Sequence, residues 1–197
     1  MKNPLRKRLL RELRQEMGKY LVVFILMVAT IGFVSGFLVA DGSMLTAYDN
    51  SFEKYNIEDG NFATEEKVYK NQQETIEGYG VKLYENFYVE KALSNGSTLR
   101  IFKNREEVNK VCLMKGKMPK KTGEIAVDRM YADNNKLSVG DTLKSGKKTW
   151  KITGLVALSD YSALFQNNND TMFDAIKFGV GIVTKEEFSS FNESQLT

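Results

Sequence analysis

The chain has 197 residues, 28 of them basic and 25 acidic, for a formal net charge of +3, and it contains no histidine. The missing imidazole excludes Ser-His-Asp and Cys-His catalysis, histidine-ligated zinc and a histidine switch near neutral pH. Cys112 is the sole cysteine, so no intrachain disulfide can form and a folded domain must rest on a hydrophobic core.

The first nineteen residues carry Lys2, Arg6, Lys7, Arg8, Arg11, Arg14 and Lys19 against Glu12 and Glu16, a net of +5. From Tyr20 onward, 21 basic and 23 acidic residues leave −2, so the modest overall charge hides two unlike regions. Leu5, Leu9, Leu13 and Met17 recur every fourth residue among these cations. That spacing describes either an amphipathic helix lying in a membrane interface or a plain basic tail that sets topology.

Tyr20 to Ala40 follows as an uncharged run of 21 residues ending at Asp41. As a helix it spans about 30 Å, the thickness of a bilayer's hydrocarbon. Thirteen of its residues are Leu, Val, Ile or Phe; at roughly 0.3 to 0.6 kcal/mol each, insertion gains about 4 to 8 kcal/mol with no charge opposing it. The sequence therefore predicts a membrane-anchored chain. Positive residues stay on the cytoplasmic side, which puts residues 1–19 inside a cell membrane and residues 41–197 outside. Anionic headgroups are then the neighbours of the basic tail, and nucleic acid is not expected as a partner.

A cleavable signal peptide is the competing reading, but its apolar region runs to only about 7 to 15 residues before a small-x-small site. Here the run is longer and closes with Leu38-Val39-Ala40, which favours an uncleaved anchor. Gly32, Gly36 and Ala40 fall four apart, which is either a face that lets another transmembrane helix approach closely or chance placement in a span that tolerates glycine. Met44 and Leu45, Tyr48, Phe52 and Tyr55 then share one helical face, so the span is expected to continue as a stalk whose apolar stripe needs a partner.

About 155 residues follow the span, enough for one globular domain. Strand-like runs occur at Val81 to Val89, Ser97 to Phe102, Glu124 to Val127 and Thr149 to Val156. Thr64 can cap a helix running to about Glu77 with Glu65 and Glu66 in its first turn, and Asn104 can cap Arg105 to Lys110. Asn95-Gly96 and Ser145-Gly146 supply hairpin turns. Gly123 can lead the chain into a short apolar strand, Asp128 can cap a helical turn through Lys136, and Gly140-Asp141 can reverse the chain. The fold class is thus α+β: one transmembrane helix extended into a stalk, then a mixed domain with antiparallel strands and hairpins. Its divisions are 1–19 cytoplasmic segment, 20–40 span, 41–56 stalk and 57–197 extracytoplasmic domain.

Chemical motifs are weak. Gly140 to Lys148 imitates a phosphate-cradling loop, but five residues separate its glycines and Lys148 stands where Ser or Thr would hold magnesium, so a hairpin is the better reading. Asp133, Asp141, Asp160 and Asp170 lack calcium-loop spacing. Cys112, between Val111 and Leu113, reads as a core residue. Asn167 to Asp170 marks a polar loop, and past Glu186 no second apolar run is long enough to span. Three glycosylation sequons, at Asn95, Asn169 and Asn192, carry meaning only in a eukaryotic secretory pathway. No catalytic, cofactor or metal residues are predicted.

Two blocks carry a family resemblance. Arg11-Glu12-Leu13, Met17-Gly18-Lys19-Tyr20, the span, and Asp41 to Asp59 with Met44, Tyr55 and Ile57-Glu58-Asp59 form the first. The second reads Lys115-Gly116-Lys117-Met118-Pro119, Gly123 to Asp128, Leu137 to Leu143 and Trp150 to Val156. Together, over roughly 110 residues, they resemble the start of FtsX-like ABC transporter permeases of Gram-positive bacteria and the MacB-like periplasmic core domain inserted after their first transmembrane helix. The resemblance implies a permease subunit, not itself an enzyme and holding no cofactor, served by a separate cytoplasmic ABC ATP-binding subunit and by other permease transmembrane helices. ATP hydrolysis would then drive the exported domain for export, extraction or mechanotransmission. The family's later transmembrane helices do not follow in this sequence, so it is expected to be an N-terminal fragment, a truncated frame or part of a split permease. The alternative is a single-pass tethered binding or assembly module. A membrane-anchored hydrolase would need Ser with Lys or paired carboxylates, and neither is arranged here.

Overall fold

The computed structural model describes residues 11–12, 14–64, 68–167 and 169–192. The reading of Leu5, Leu9 and Leu13 as an amphipathic face lies outside them, as do Glu65 and Glu66. The chain divides into two compact units, Met1–Asn50 and Ser51–Thr197.

Helix α1, Met17–Tyr55, is one unbroken helix of 39 residues, covering the predicted span and the predicted extension. It stops at Asn56, whose φ of +47° places it in the left-handed region that Asn tolerates. Asn56 N–H donates to the Glu53 carbonyl (3.4 Å) and Ile57 N–H to the Phe52 carbonyl (3.1 Å), the paired bonds of a Schellman motif with a hydrophobic residue after the cap.

In the second unit, α2 covers Lys70–Glu77. It starts later than predicted: Thr64 is outside the helix, and the turn is organised by Tyr69, whose N–H donates to Gln72 Oε1 at 2.9 Å. Seven strands follow, with one short helix among them and one after the last: β1 Tyr88–Ala92, β2 Thr98–Lys103, β3 Cys112–Gly116, β4 Glu124–Asp128, α3 Arg129–Asn134, β5 Thr142–Ser145, β6 Lys148–Ala157, β7 Phe178–Val183 and α4 Lys185–Ser189. They form a single sheet in the order β1-β2-β7-β4-β6-β3, with β5 also on β6.

The expected antiparallel pairing is corrected to a mixed sheet, because β2 with β7 and β4 with β6 run parallel. The first pair arises from β7, which inserts between β2 and β4; the second arises because the chain crosses through α3 and β5 between β4 and β6. The predicted strand from Val81 shortens to begin at Tyr88, since only residues 88–92 find ladder partners on β2. The predicted helix from Asn104 does not form. Its backbone donors are spent on other elements, Asn104 on Val183, Asn109 on Asn56 and Lys110 on Tyr55. The turn residues behave as read: Gly96 (φ +84°) closes the β1–β2 hairpin, and Gly146 (φ +56°) lies in the two-residue turn of the β5–β6 hairpin. Asp128 caps α3 by accepting from Tyr131 N–H at 3.0 Å.

The core lies on both sheet faces. Leu99, Ile101, Ile125, Val127, Trp150, Ile152, Val180 and Ile182 have no solvent exposure, and all six residues of β7 are buried, as befits a strand covered on two sides. One face receives Tyr131 of α3, whose ring lies where a side chain at Gly179 would be. On the other, Phe102 packs on Tyr88 and on Tyr161 of the 3-10 turn Ser159–Tyr161.

Candidate functional site: an apolar helix and its terminal clasp

Two features stand out, one in each unit. The first is the surface of α1. From Tyr20 to Val39 its large apolar side chains are each between 51% and 78% exposed, and the apolar Met44, Leu45, Tyr48 and Phe52 beyond them are exposed too. A soluble protein rarely leaves so large an apolar surface uncovered, and the helix is long and apolar enough to cross a membrane. Nothing lies within 4 Å of the position a Cβ would take at Gly32 or Gly36, leaving the small-residue stripe open.

The second feature, inside the second unit, is a clasp around the end of α1. Lys110 N–H donates to the Tyr55 carbonyl (2.8 Å) and Asn109 N–H to that of Asn56 (2.9 Å). In return, Asn56 Nδ2 donates to the Glu107 carbonyl (2.7 Å) and Glu58 N–H to Asn109 Oδ1 (3.0 Å). Asn109 is 1% exposed with φ +48°, and Ser159 Oγ donates to the same Oδ1 at 3.2 Å. The Tyr55 hydroxyl reaches Cys112 Sγ at 2.9 Å. Cys112 is therefore corrected from core residue to a half-buried position at the start of the edge strand β3, where the clasp and not the core engages it.

The segment 158–166 that follows β6 is held by buried charge. Arg105 Nη1 contacts both Asp160 oxygens at 2.7 Å, with the two side chains 6% and 11% exposed, and its guanidinium lies 4.3 Å from the Phe102 ring centre. Arg100 donates to Glu90 (2.6 Å), to the Tyr161 hydroxyl (2.9 Å) and to the Gln166 carbonyl (2.8 Å). Burial raises the Tyr161 phenol above its ordinary range, opposed by the Arg100 hydrogen bond and charge. Removing one partner of such a pair leaves an uncompensated buried charge, so these groups fix the segment in place.

The aspartates singled out in the sequence are dispersed. Asp133 faces Arg129, Asp141 accepts from Ser138 N–H, Asp160 holds Arg105 and Asp170 accepts from Asn167 N–H. Among the described residues, no group of three or more His, Cys, Asp or Glu side chains could hold a metal ion. The Gly140–Lys148 pattern leads into the β5–β6 hairpin, the reading its spacing favoured. The clasp itself was missed at the sequence level, although Asn56-Ile57 behind the apolar stripe was a readable helix-stop signal. Compared with known proteins, the chain matches no family model, no curated sequence and no solved structure.

Proposed function

We propose that the chain is the first membrane-crossing portion of an ABC transporter permease of the FtsX-like class, with its N-terminus in the cytoplasm and residues 41–197 outside the cell membrane. The carrying observation is the unbroken helix from the apolar run to Tyr55. Beyond Ala40 this helix continues for fifteen residues, about 22 Å at helical rise, which supports reading residues 41–56 as a stalk that prolongs the span. The clasp binds the end of that element into the sheet domain through backbone and side-chain hydrogen bonds.

The +5 charge of residues 1–19 supports the orientation. In this reading a separate cytoplasmic ATP-binding subunit hydrolyses ATP, and other permease helices pack on the span, Gly32, Gly36 and Ala40 offering a face for close approach. The chain itself is not an enzyme; it carries motion to the exported domain for export, extraction or mechanotransmission.

The test is isolation of the tagged full-length chain from native membranes in mild detergent. The expected result is a stoichiometric ATP-binding subunit that remains through a second affinity step. Recovery of the intact chain alone, from membranes where that ATPase is abundant, would refute the permease reading and leave a single-pass tethered module.

A further inference from the structure

Charge is divided unevenly along the sheet domain. Residues 57–197 carry 20 basic and 20 acidic residues, yet residues 108–151 alone carry eleven basic and four acidic, a net of +7, which leaves the rest of the domain at −7. Residues 108–151 supply β3, β4, α3, β5 and the start of β6. In the sheet β4, β6 and β3 are consecutive up to one edge, with β5 also on β6, so the excess cations gather toward that edge.

Strand register sets several of them on a single face. Thr142 of β5 and Glu124 of β4 both pair with Lys151 of β6, and Lys144 pairs with Thr149; Glu124 is half-buried and the other four are exposed. The β3–β4 loop adds Lys117, Lys120 and Lys121, exposed as well, on a backbone that is tied down. Lys117 N–H donates to the Thr153 carbonyl (2.8 Å), and Glu124 Oε2 accepts from Lys120 N–H (2.8 Å) and Lys121 N–H (3.2 Å). The charge of Glu124 is shared between that loop backbone and the lysines 121 and 151. Asp128 is buried as the α3 cap, Asp133 faces Arg129 and Asp141 accepts from Ser138 N–H, so the remaining acidic groups of the stretch are engaged elsewhere. On the adjoining edge strand, Leu113 and Met114 are 42% and 52% exposed beside Lys115.

The chemistry of this face selects its partner. Lysine ammonium groups are compact, hydrated point charges without the planar fork that picks out one carboxylate, and they suit a surface that offers many anions at no fixed spacing. Apolar side chains among cations strengthen attachment at the headgroup level of a bilayer. The same chain holds a helix long and apolar enough to cross a membrane, and such tethering supplies a bilayer at high effective concentration. We propose that the exposed face of β5 and β6, together with the β3–β4 loop, is a docking surface for an anionic phospholipid bilayer, with Lys117, Lys120, Lys121, Lys144 and Lys151 meeting its phosphates. The inference rests on the membrane reading of α1 and not on the permease reading.

In a Cys112→Ser background, Thr149→Cys places an environment-sensitive fluorophore on this face and Met172→Cys places one in the loop before β7. The full-length chain, held in phosphatidylcholine nanodiscs, is titrated with phosphatidylcholine vesicles containing about 30% phosphatidylglycerol and, separately, with vesicles of phosphatidylcholine alone. The expected result is a saturable rise in emission at position 149, with the anionic vesicles only and without a matching rise at position 172; docking through the basic tail alone would leave position 149 silent. Each lysine at the surface is worth about fivefold, so Lys117→Gln, Lys120→Gln and Lys144→Gln together should raise the half-saturating lipid concentration about a hundredfold. Lys103→Gln, Lys177→Gln and Lys185→Gln together, the same charge change on exposed residues off the face, should move it less than about threefold. Melts of the two triple variants matching the parent show that their folds are intact. Equal shifts in the two triple variants, no response at position 149 to anionic vesicles, or a response there to inorganic polyphosphate and none to vesicles would overturn the assignment, the last by naming a soluble polyanion as the partner.

Discussion

Placing a methyl group at Gly179 tests how tightly the sheet and α3 are fitted together. A Cβ at this position would clash with the Cγ and Cδ atoms of the Tyr131 ring, and the ring cannot step aside. Tyr131 is fully buried; its hydroxyl is held by Ser97 Oγ at 2.7 Å and Asn95 Nδ2 at 3.2 Å, and its backbone N–H by Asp128 at 3.0 Å. The neighbours of Gly179 on β7, Phe178 and Val180, are buried on the opposite face, so β7 has no room to retreat. Overpacking of this kind costs about 1 to 3 kcal/mol, and a partner tethered at both ends places Gly179→Ala near about 3 kcal/mol. For a domain of this size that corresponds to a fall in Tm of roughly 6 to 12 °C. Thermal unfolding of the full chain in detergent, followed by the near-ultraviolet circular dichroism of Trp150, measures it. The Tyr131→Ala variant supplies the second arm: Gly179→Ala added to it should cost far less than alone, because the Cγ and Cδ atoms that obstruct the new methyl are gone. A Gly179→Ala melt within about 2 °C of the parent, or strictly additive costs in the double variant, would refute the packing argument.

Other expectations address the helix, the cap and the buried carboxylate. Val28→Arg adds about 2.5 to 3.5 kcal/mol at the middle of a span worth about 4 to 8 kcal/mol, and Ile31→Arg in addition cancels most of the remainder; carbonate extraction should show partial release for the single variant and full release for the double. Asp128→Ala should cost about 1 kcal/mol through loss of the α3 cap. Asp128→Asn keeps the acceptor, and because burial raises the Asp128 carboxyl above its ordinary range against the backbone hydrogen bonds, it should melt no lower than the parent at pH 7. Glu187 has the opposite sign. Burial pushes its carboxyl up, and the hydrogen bonds from Lys148, the Trp150 indole and Gly123 N–H outweigh it. Its folded-state pKa is depressed, so its contribution is complete above the ordinary glutamate range and disappears as pH falls through the folded value. The Tm difference between the parent and Glu187→Gln should therefore narrow steadily below about pH 4.5; a pH-independent difference would contradict the Lys148–Trp150–Gly123 hydrogen-bond set.

What could be read from the sequence divides along physical lines. The apolar helix is legible because twenty-one uncharged residues admit few other fates, and the hairpins because Gly96 and Gly146 are needed at positive φ. β4 and β6 announce themselves by β-branched runs beside a capping Asp and a turn. β7 hid itself: Phe178-Gly-Val-Gly-Ile-Val carries two glycines that ordinarily argue against a strand, and their reason, the Tyr131 ring over Gly179 and Ile125 against Gly181, exists only in the folded sheet. Missing β7 also concealed its parallel pairing with β2. Residues 104–110 show tertiary override in the other direction, a plausible capped helix dissolved because its N–H groups bind Tyr55, Asn56 and Val183. The charge excess of residues 108–151 can be counted in the sequence, but the register that gathers Lys144 and Lys151 on one face cannot.

Orientation decides the functional reading most directly. In a Cys112→Ser background, single-cysteine variants Met172→Cys, at a residue 83% exposed in the sheet domain, and Lys2→Cys, in the basic tail, are exposed on intact cells to a membrane-impermeant maleimide. The Met172→Cys variant should label at once and the Lys2→Cys variant only after lysis. Labelling of Lys2→Cys on intact cells with Met172→Cys protected would place the domain in the cytoplasm and contradict the proposed coupling to an internal ATPase.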